Sequence, residues 1–546
     1  MSIYQQFCRE RFNENGALTE FQLVYSPHFN FGYDVVDRIA AEEPEKMALV
    51  WRNIEGEEHR FTFRDIMRMS NQAANVFMSQ GITKGDMVML VLKRHYEYWY
   101  ATVALHKLGA VAIPVTHMLT AEDLEYRVNT AKIKAVVSTP EEDIPERLLS
   151  ILDRCPSLTH LWTVQKSAGG FRNLTEDIKD APVTMERQDT SAHEPILMYF
   201  TSGTTGYPKG VLHDHTYPLS HIITAKYWQK AQDGGLHFTV AETGWGKASW
   251  GKIYGQWLVG SAVMVYDFDN FEPKQLMAII NQYQVTTFCA PATIYRYFVR
   301  KGMIPMPSLK HVSSAGEALN PEVSKRFTEL TGLPLMEGYG QTESALLLGN
   351  FSESELRPGS MGKPSPLYHM DLMTPEGELV QTGEIGELVI VPPAGGIQPG
   401  LFVGYHENPA LYSHVWRYGV YHTGDTAWRD ADGYYWFHGR IDDVIKTGGF
   451  RVGPFEIENI LMEHPAVMES AVFGVPDPLR GQAIRAVVVT APGYEASTSL
   501  QKEIREFCNS RMAEYKWIRQ LDFVPVMPKT ISGKIRRVDL KETYGA

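Results

Sequence analysis

Thr201, Ser202, Gly203, Thr204, Thr205 and Lys209 stand together in the run Tyr199-Phe200-Thr201-Ser202-Gly203-Thr204-Thr205-Gly206-Tyr207-Pro208-Lys209-Gly210. Glycines let a backbone approach a ligand closely. The hydroxyls and the freed N–H groups make a dense donor set, suited to a polyphosphate. Lys209 adds a mobile point charge. The run is not a Walker A loop, which needs Gly directly before the Lys and Ser or Thr directly after it. Pro208 and Gly210 hold those places. Ile196-Leu197-Met198 ahead of the run reads as a buried strand, and residues 211–228 after it read as a helix. The expected unit is therefore strand, donor-rich loop, helix.

Five further stretches carry residue types that fit the same chemistry. Ser314-Ala315-Gly316-Glu317-Ala318-Leu319 ends a strand, where open α/β sheets bind ligands. Met336-Glu337-Gly338-Tyr339-Gly340-Gln341-Thr342-Glu343-Ser344 places an acid in a loop, and Mg2+ prefers one or two carboxylates with phosphate oxygens and water. Tyr421-His422-Thr423-Gly424-Asp425 offers a carboxylate that can accept from two hydroxyls at once. Residues 439–453 run Gly439-Arg440-Ile441-Asp442-Asp443 to Gly448-Gly449-Phe450-Arg451-Val452-Gly453, and Pro528-Lys529-Thr530-Ile531-Ser532-Gly533-Lys534 follows near the end.

The loop at 199–210 closely resembles the signature of the adenylate-forming superfamily: acyl-CoA synthetases, firefly-type luciferases and adenylation domains of peptide synthetases. The later stretches match that superfamily's other motifs in order, from about Tyr33 to Arg537. The resemblance implies that 201–205 and Lys209 cradle ATP phosphates and that Gly316, Glu317 and Ala318 contact adenine. It implies that Tyr339 stacks near adenine, beside Gln341, and that Thr342 touches the α-phosphate. Glu343 would hold Mg2+ and Asp425 the ribose hydroxyls. Arg440 would lie near ribose and phosphate, and Arg451 would reach the phosphates. Asp442 would be the hinge, Gly449 would line the pantetheine path of coenzyme A, and Lys534 would be the adenylation lysine. A lysine on a mobile lid can offset charge developing at the α-phosphate and then leave. The neighbouring Arg536 and Arg537 read as a solvated face.

The acyl pocket is expected at 241–258, with Trp245 and Trp250 as walls. Lys247 is unusual there: it could shorten the pocket, reach a polar group on the substrate, or face solvent. Gly340 stands where acetyl-CoA synthetases typically carry Trp. A glycine implies a deeper pocket and an acyl group larger than acetate. The stretch looks most like medium-chain or branched-chain acyl-CoA synthetases.

These residues need a large scaffold. The chain has 546 residues, more than one ordinary domain. The continuous apolar run 87–92 reads as a strand buried on both faces, and 110–115 and 135–138 read as further strands. Strands also fit 158–164, 262–266, 286–290 and 311–314, with helices at 96–108, 273–281 and 292–300. Tyr96, Tyr98, Trp99 and Tyr100 read as core packing on such a helix. The alternation gives an α/β fold of two similar layers, one on each side of about residue 190. Short strands with tight turns from about 350 to 438 suggest a small β-barrel. The expected division is a large domain over 1–440 and a small mobile α+β lid over 441–546.

The net charge of −12 argues against a nucleic-acid binder. Cys8, Cys155, Cys289 and Cys508 lie far apart, which argues against a zinc site or a disulfide framework. Acids at Glu10 and Glu14 count against a transit peptide, and no apolar run nears the ~18 residues of a spanning helix. A cytoplasmic enzyme with no stable membrane anchor is expected. The expected activity joins a carboxylic acid to coenzyme A through an acyl-adenylate, using ATP and Mg2+. Two alternatives use the same fold: a benzoate-like aryl-CoA ligase, and an adenylation enzyme loading a carrier protein. A non-catalytic nucleotide-binding module is the alternative of another class, and it should lack Lys209, Glu343, Asp425 or Lys534.

Overall fold

A computed structural model describes residues 2–141, 143–201, 207–317, 319–351, 354–394, 398–530 and 534–545. Ser202, Gly203, Thr204, Thr205 and Ala318, and the Ile531-Ser532-Gly533 ahead of Lys534, lie outside the described residues.

Two large sheets form the body, one of eight strands and one of nine. The strand Met87–Val91 sits mid-sheet, paired in parallel on both sides with Val111–Pro114 and Ala135–Ser138. Its apolar run is needed because both faces are covered. The helix Glu97–Leu108 packs with Tyr98, Trp99 and Tyr100 wholly buried, as core. It ends at Gly109, whose φ of +71° turns the chain back toward the sheet.

The second sheet holds the parallel strands Leu236–Thr239, Ala262–Asp267, Thr287–Ala290, His311–Ala315 and Leu335–Tyr339. It also recruits Met47–Asn53 and Glu58–Thr62 from the start of the chain. Met47–Asn53 runs parallel to Ala262–Asp267. The two layers are thus not divided cleanly at residue 190. Pairing between segments some 200 residues apart leaves no trace in local periodicity.

The unit around the signature run also differs from expectation. Pro195–Thr201 is followed by a second strand, Lys209–Asp214, antiparallel to it, with Thr201 opposite Lys209. The run therefore spans a hairpin, and the helix Thr216–Ile222 starts only afterwards. The apolar residues of 211–228 concealed a strand in front of a helix.

Further on come four antiparallel strands, His369–Met373, Ile385–Val391, Tyr421–Arg429 and Tyr435–Arg440. They form an open four-stranded sheet, not a closed barrel, in the stretch expected as a small barrel. The last sheet has five strands and draws on residues 445–523. Its helices include Pro454–Glu463 and Thr498–Asn509.

Candidate active site

Glu343 lies just beyond the strand Leu335–Tyr339 and is buried, 6 % exposed. Its Oε1 accepts from Lys209 Nζ at 2.9 Å and from the Tyr405 hydroxyl at 2.8 Å. Lys209 also donates to that hydroxyl, at 2.9 Å. Burial alone would raise the carboxyl pKa, but the Lys209 ammonium brings it below the usual carboxylate range. Glu343 is thus an ionised acid with a second oxygen to offer. Among the described residues no group of three or more His, Cys, Asp or Glu could hold a metal ion.

A second set of side chains lies beside this pair. The Tyr339 hydroxyl donates to Asp425 Oδ2 at 2.5 Å, and Gln341 Nε2 donates to the same oxygen at 2.8 Å. Arg440 NH1 stands 3.3 Å from Asp425 Oδ1. Burial raises the Asp425 pKa above its usual value, with Arg440 opposing. The Tyr421 hydroxyl donates to Gln341 Oε1 at 3.0 Å and lies beside that of Tyr405. Tyr421 therefore links the two sets. Asp425 is held by strand pairing, since its strand registers it opposite Arg440.

The adenine stretch arrives at the end of His311–Ala315. Gly316 takes φ +97°, which an L side chain rarely adopts. Glu317 Oε1 accepts from the Thr293 N–H at 2.7 Å, near the start of the helix Ala292–Lys301. Lys247 reaches across this turn. Its ammonium donates to the Ala315 carbonyl, and a Cβ on Gly316 would lie 2.8 Å from its Nζ. Of the three readings open for Lys247, the solvent-facing one is overturned. Burial, and after it the charge of Lys534, pulls its pKa below the lysine range.

Trp250 is buried and packs on Gly340. A Cβ on Gly340 would stand 2.5 Å from the Trp250 ring and 2.6 Å from the Ala345 carbonyl oxygen. Gly340 thus leaves no void at its own position, because the indole fills it. Trp245 is half-buried, and Gly246 after it lies close to Thr342, 3.8 Å from its methyl measured from an added Cβ. Thr342 offers its carbonyl to His213 Nε2 at 2.8 Å.

Beyond the strand Tyr435–Arg440, Asp442 is exposed. Its neighbour Asp443 pairs with Lys541 at 3.2 Å and Arg537 at 3.8 Å. Arg537 also makes two contacts of 2.6 and 2.8 Å to Glu458. The solvated reading of Arg537 is therefore corrected: it is a structural cation between Glu458 and the expected hinge. Lys534 acts electrostatically on both Lys247 and Asp425, so its charge is felt at both ends of the site. Arg451 and Gly449 are exposed, and an added Cβ on Gly449 would meet nothing within 4 Å. Its φ of +85° still favours glycine. The structure thus gathers Lys209, Glu343, Tyr339, Gln341, Asp425, Arg440, Lys247 and the charge of Lys534. It leaves Arg451 and Gly449 in the open. Sequence reasoning missed Tyr405, Tyr421 and His213, which lie outside the glycine-rich signals or beside them without distinction.

A body of two large α/β sheets, a smaller sheet domain and carboxylates gathered at strand ends define an adenylate-forming enzyme. The chain belongs to the AMP-binding enzyme family: residues 36–406 match that family, and residues 456–534 match the AMP-binding enzyme C-terminal domain. The mitochondrial acyl-coenzyme A synthetase ACSM3 of Homo sapiens is 36% identical over 548 residues, covering 97% of this chain and 92% of that protein. The anthranilate CoA ligase AuaEII, solved with anthranoyl-AMP, is similar at TM-score 0.86 and 28% identity, covering 95% of this chain and 98% of that one. An acyl-CoA synthetase of Brucella canis is similar at TM-score 0.72 and 29% identity, covering 95% of each chain.

Proposed function

We propose that this enzyme is an AMP-forming acyl-CoA synthetase. It activates a carboxylic acid with ATP and passes the acyl group to coenzyme A. The observation that carries the reading is the single network of Lys209, Glu343, Tyr405, Tyr421, Gln341, Tyr339 and Asp425. In the first step a carboxylate oxygen forms a bond to the α-phosphorus while the α–β bridge breaks and pyrophosphate leaves. Lys209 and the run 201–205 hold phosphates, Asp425 accepts the ribose hydroxyls, and Lys534 offsets charge between carboxylate and α-phosphate. Mg2+, when bound, would be held by Glu343 and would neutralise phosphate charge. In the second step the thiol sulfur of coenzyme A bonds to the acyl carbon and the bond to AMP breaks. That step needs Lys534 to withdraw and Gly449 to come in, a turn we place at Asp442 with the domain boundary near residue 440.

Among the described residues no helix is long and apolar enough to cross a membrane. The cytoplasmic placement expected from the sequence draws no support from the relatives, since the human protein carries "mitochondrial" in its name. An aryl acid is a second reading of the substrate. It is favoured by the indole of Trp250 at Gly340 and by the likeness to an anthranilate CoA ligase.

The test is acid-dependent ATP–pyrophosphate exchange with acetate, butyrate, hexanoate, octanoate, 2-methylbutyrate and benzoate, followed by AMP release with and without coenzyme A. Exchange with AMP release that requires coenzyme A is the expected result. Exchange that coenzyme A cannot carry to turnover would reassign the acceptor to a carrier protein, and no exchange at all would overturn the reading.

A further inference from the structure

The strand Ile385–Val391 runs antiparallel to Tyr421–Arg429, and their register breaks at one place. Glu387 stands opposite Thr426, and Val389 stands opposite His422. Leu388 alone therefore faces Thr423, Gly424 and Asp425, and the longer stretch bulges out of the ladder. A bulge beside an active site re-aims a side chain. This one carries Asp425, the carboxylate assigned to the ribose hydroxyls.

Three anchors pin the bulge. Thr423 Oγ1 donates to the Leu388 carbonyl at 2.7 Å and accepts from the Asp425 N–H at 3.1 Å. The Gly424 carbonyl accepts from the Ile441 N–H at 3.0 Å. The Gly424 N–H, turned off the ladder by a φ of +75°, donates to Glu387 Oε1 at 3.1 Å. Glu387 is buried, 7 % exposed, and its other oxygen is engaged as well. Oε2 accepts from Arg417 NH2 at 2.5 Å and from His422 Nδ1 at 2.8 Å. Gly424 and Arg417 both donate, one to each oxygen, so only a group that accepts on both oxygens satisfies the site. An amide of the same shape fails, because its NH2 must meet either the Gly424 N–H or the Arg417 guanidinium.

Resting on the reading in which Asp425 receives the ribose, we propose that Glu387 is a positioning residue for the adenylation step. It sets the bulge that aims Asp425 at the ribose hydroxyls and acts on them only through the backbone of Gly424. The preference for a nucleotide with both hydroxyls then depends on a side chain that touches neither.

The experiment measures kcat and KM for pyrophosphate exchange with ATP and with 2′,3′-dideoxy-ATP, using the best acid of the panel above. It compares the wild-type enzyme, Glu387→Gln, Asp425→Asn and the double variant. The wild type should show a KM for ATP lower by about tenfold or more than for the dideoxy analogue, as loss of hydrogen bonds to a charged group requires. Glu387→Gln should raise the KM for ATP by about tenfold, leave that for the dideoxy analogue within about twofold, and leave that for the acid unchanged. In the Asp425→Asn background the same substitution should add almost nothing, because the two residues act as a unit. A residue that only held the fold together would weaken both nucleotides and the acid alike, and its effect would multiply with that of Asp425→Asn. Thr423→Val loosens the same bulge from its other anchor and should give the same pattern, so the inference is read even where Glu387→Gln folds poorly. An unchanged KM for ATP, equal losses with both nucleotides, or full additivity with Asp425→Asn would overturn this inference and leave the synthetase reading standing. A wild type that uses both nucleotides equally would remove the ribose role of Asp425 and this inference with it. No exchange with any acid would overturn the synthetase reading as well.

Discussion

Glu343 is the residue on which the charge balance of the site turns. Lys209 balances its charge and the Tyr405 hydroxyl donates to the same oxygen, and all three groups must reorganise around incoming phosphates. Glu343→Gln keeps the volume and removes the charge. On the proposed mechanism it should lower pyrophosphate exchange by about 100-fold or more and raise the Mg2+ concentration needed for half-maximal rate. Exchange with unchanged Mg2+ dependence would place the ion elsewhere. Asp425→Asn should act differently, since the ribose contact exists in ground state and transition state alike. A lost charged hydrogen bond of roughly 1.5–3 kcal/mol should appear as a raised KM for ATP with little change in kcat. A fall in kcat at constant KM would contradict that role.

At the scale of elements, the loop that carries Lys534 is anchored by contacts on both sides. The Thr530 N–H donates to the Lys534 carbonyl at 2.7 Å, and Lys529 pairs with Glu469 at 2.6 Å. Arg537, just past the lysine, clamps to Glu458 on the helix Pro454–Glu463. Lys534→Ala should nearly abolish adenylate formation and spare thioester formation from supplied acyl-adenylate. Arg537→Ala should give a milder form of the same split, because it loosens the loop and removes no group from the reaction. It also strands the Glu458 carboxylate, which is buried to 9 % exposure, so a loss of stability of about 3 kcal/mol should accompany it. Equal losses in both half-reactions for Lys534→Ala would remove the idea of a lid that swaps residues between steps.

For the whole molecule, the buried histidines set the response to acid. His106, His213, His215, His221 and His237 are all held neutral by burial, His215 and His237 down to about 3 and His213 to about 4. Their folded pKa values lie below the unfolded value, so the unfolded chain binds more protons on acidification. The stability they contribute is complete above about pH 6.5 and is lost as pH falls through the window toward 4. At pH 5.5 each should cost about 1 kcal/mol. The melting temperature should therefore drop steeply from pH 7 to pH 5, and a flat profile would show that these imidazoles reach water.

The sequence by itself determined the strands of both sheets that read as unbroken apolar runs. Met87–Val91 and Ala262–Asp267 are examples, because burial on both faces is written into nearly every residue of such a strand. It also determined the order of the motifs holding Lys209, Glu343, Asp425 and Lys534, since each lies in a local glycine- or hydroxyl-marked turn. The hairpin Pro195–Thr201 and Lys209–Asp214 was hidden, because a strand followed at once by a helix blends two apolar periods. The tertiary structure alone decided where Lys247 points, that Trp250 fills the space at Gly340, and that Arg537 is half-buried beside the expected hinge. It alone set His213 Nε2 on the Thr342 carbonyl. Those facts depend on distances between segments far apart in the chain, and no periodicity within a segment encodes what its side chains will meet across the fold.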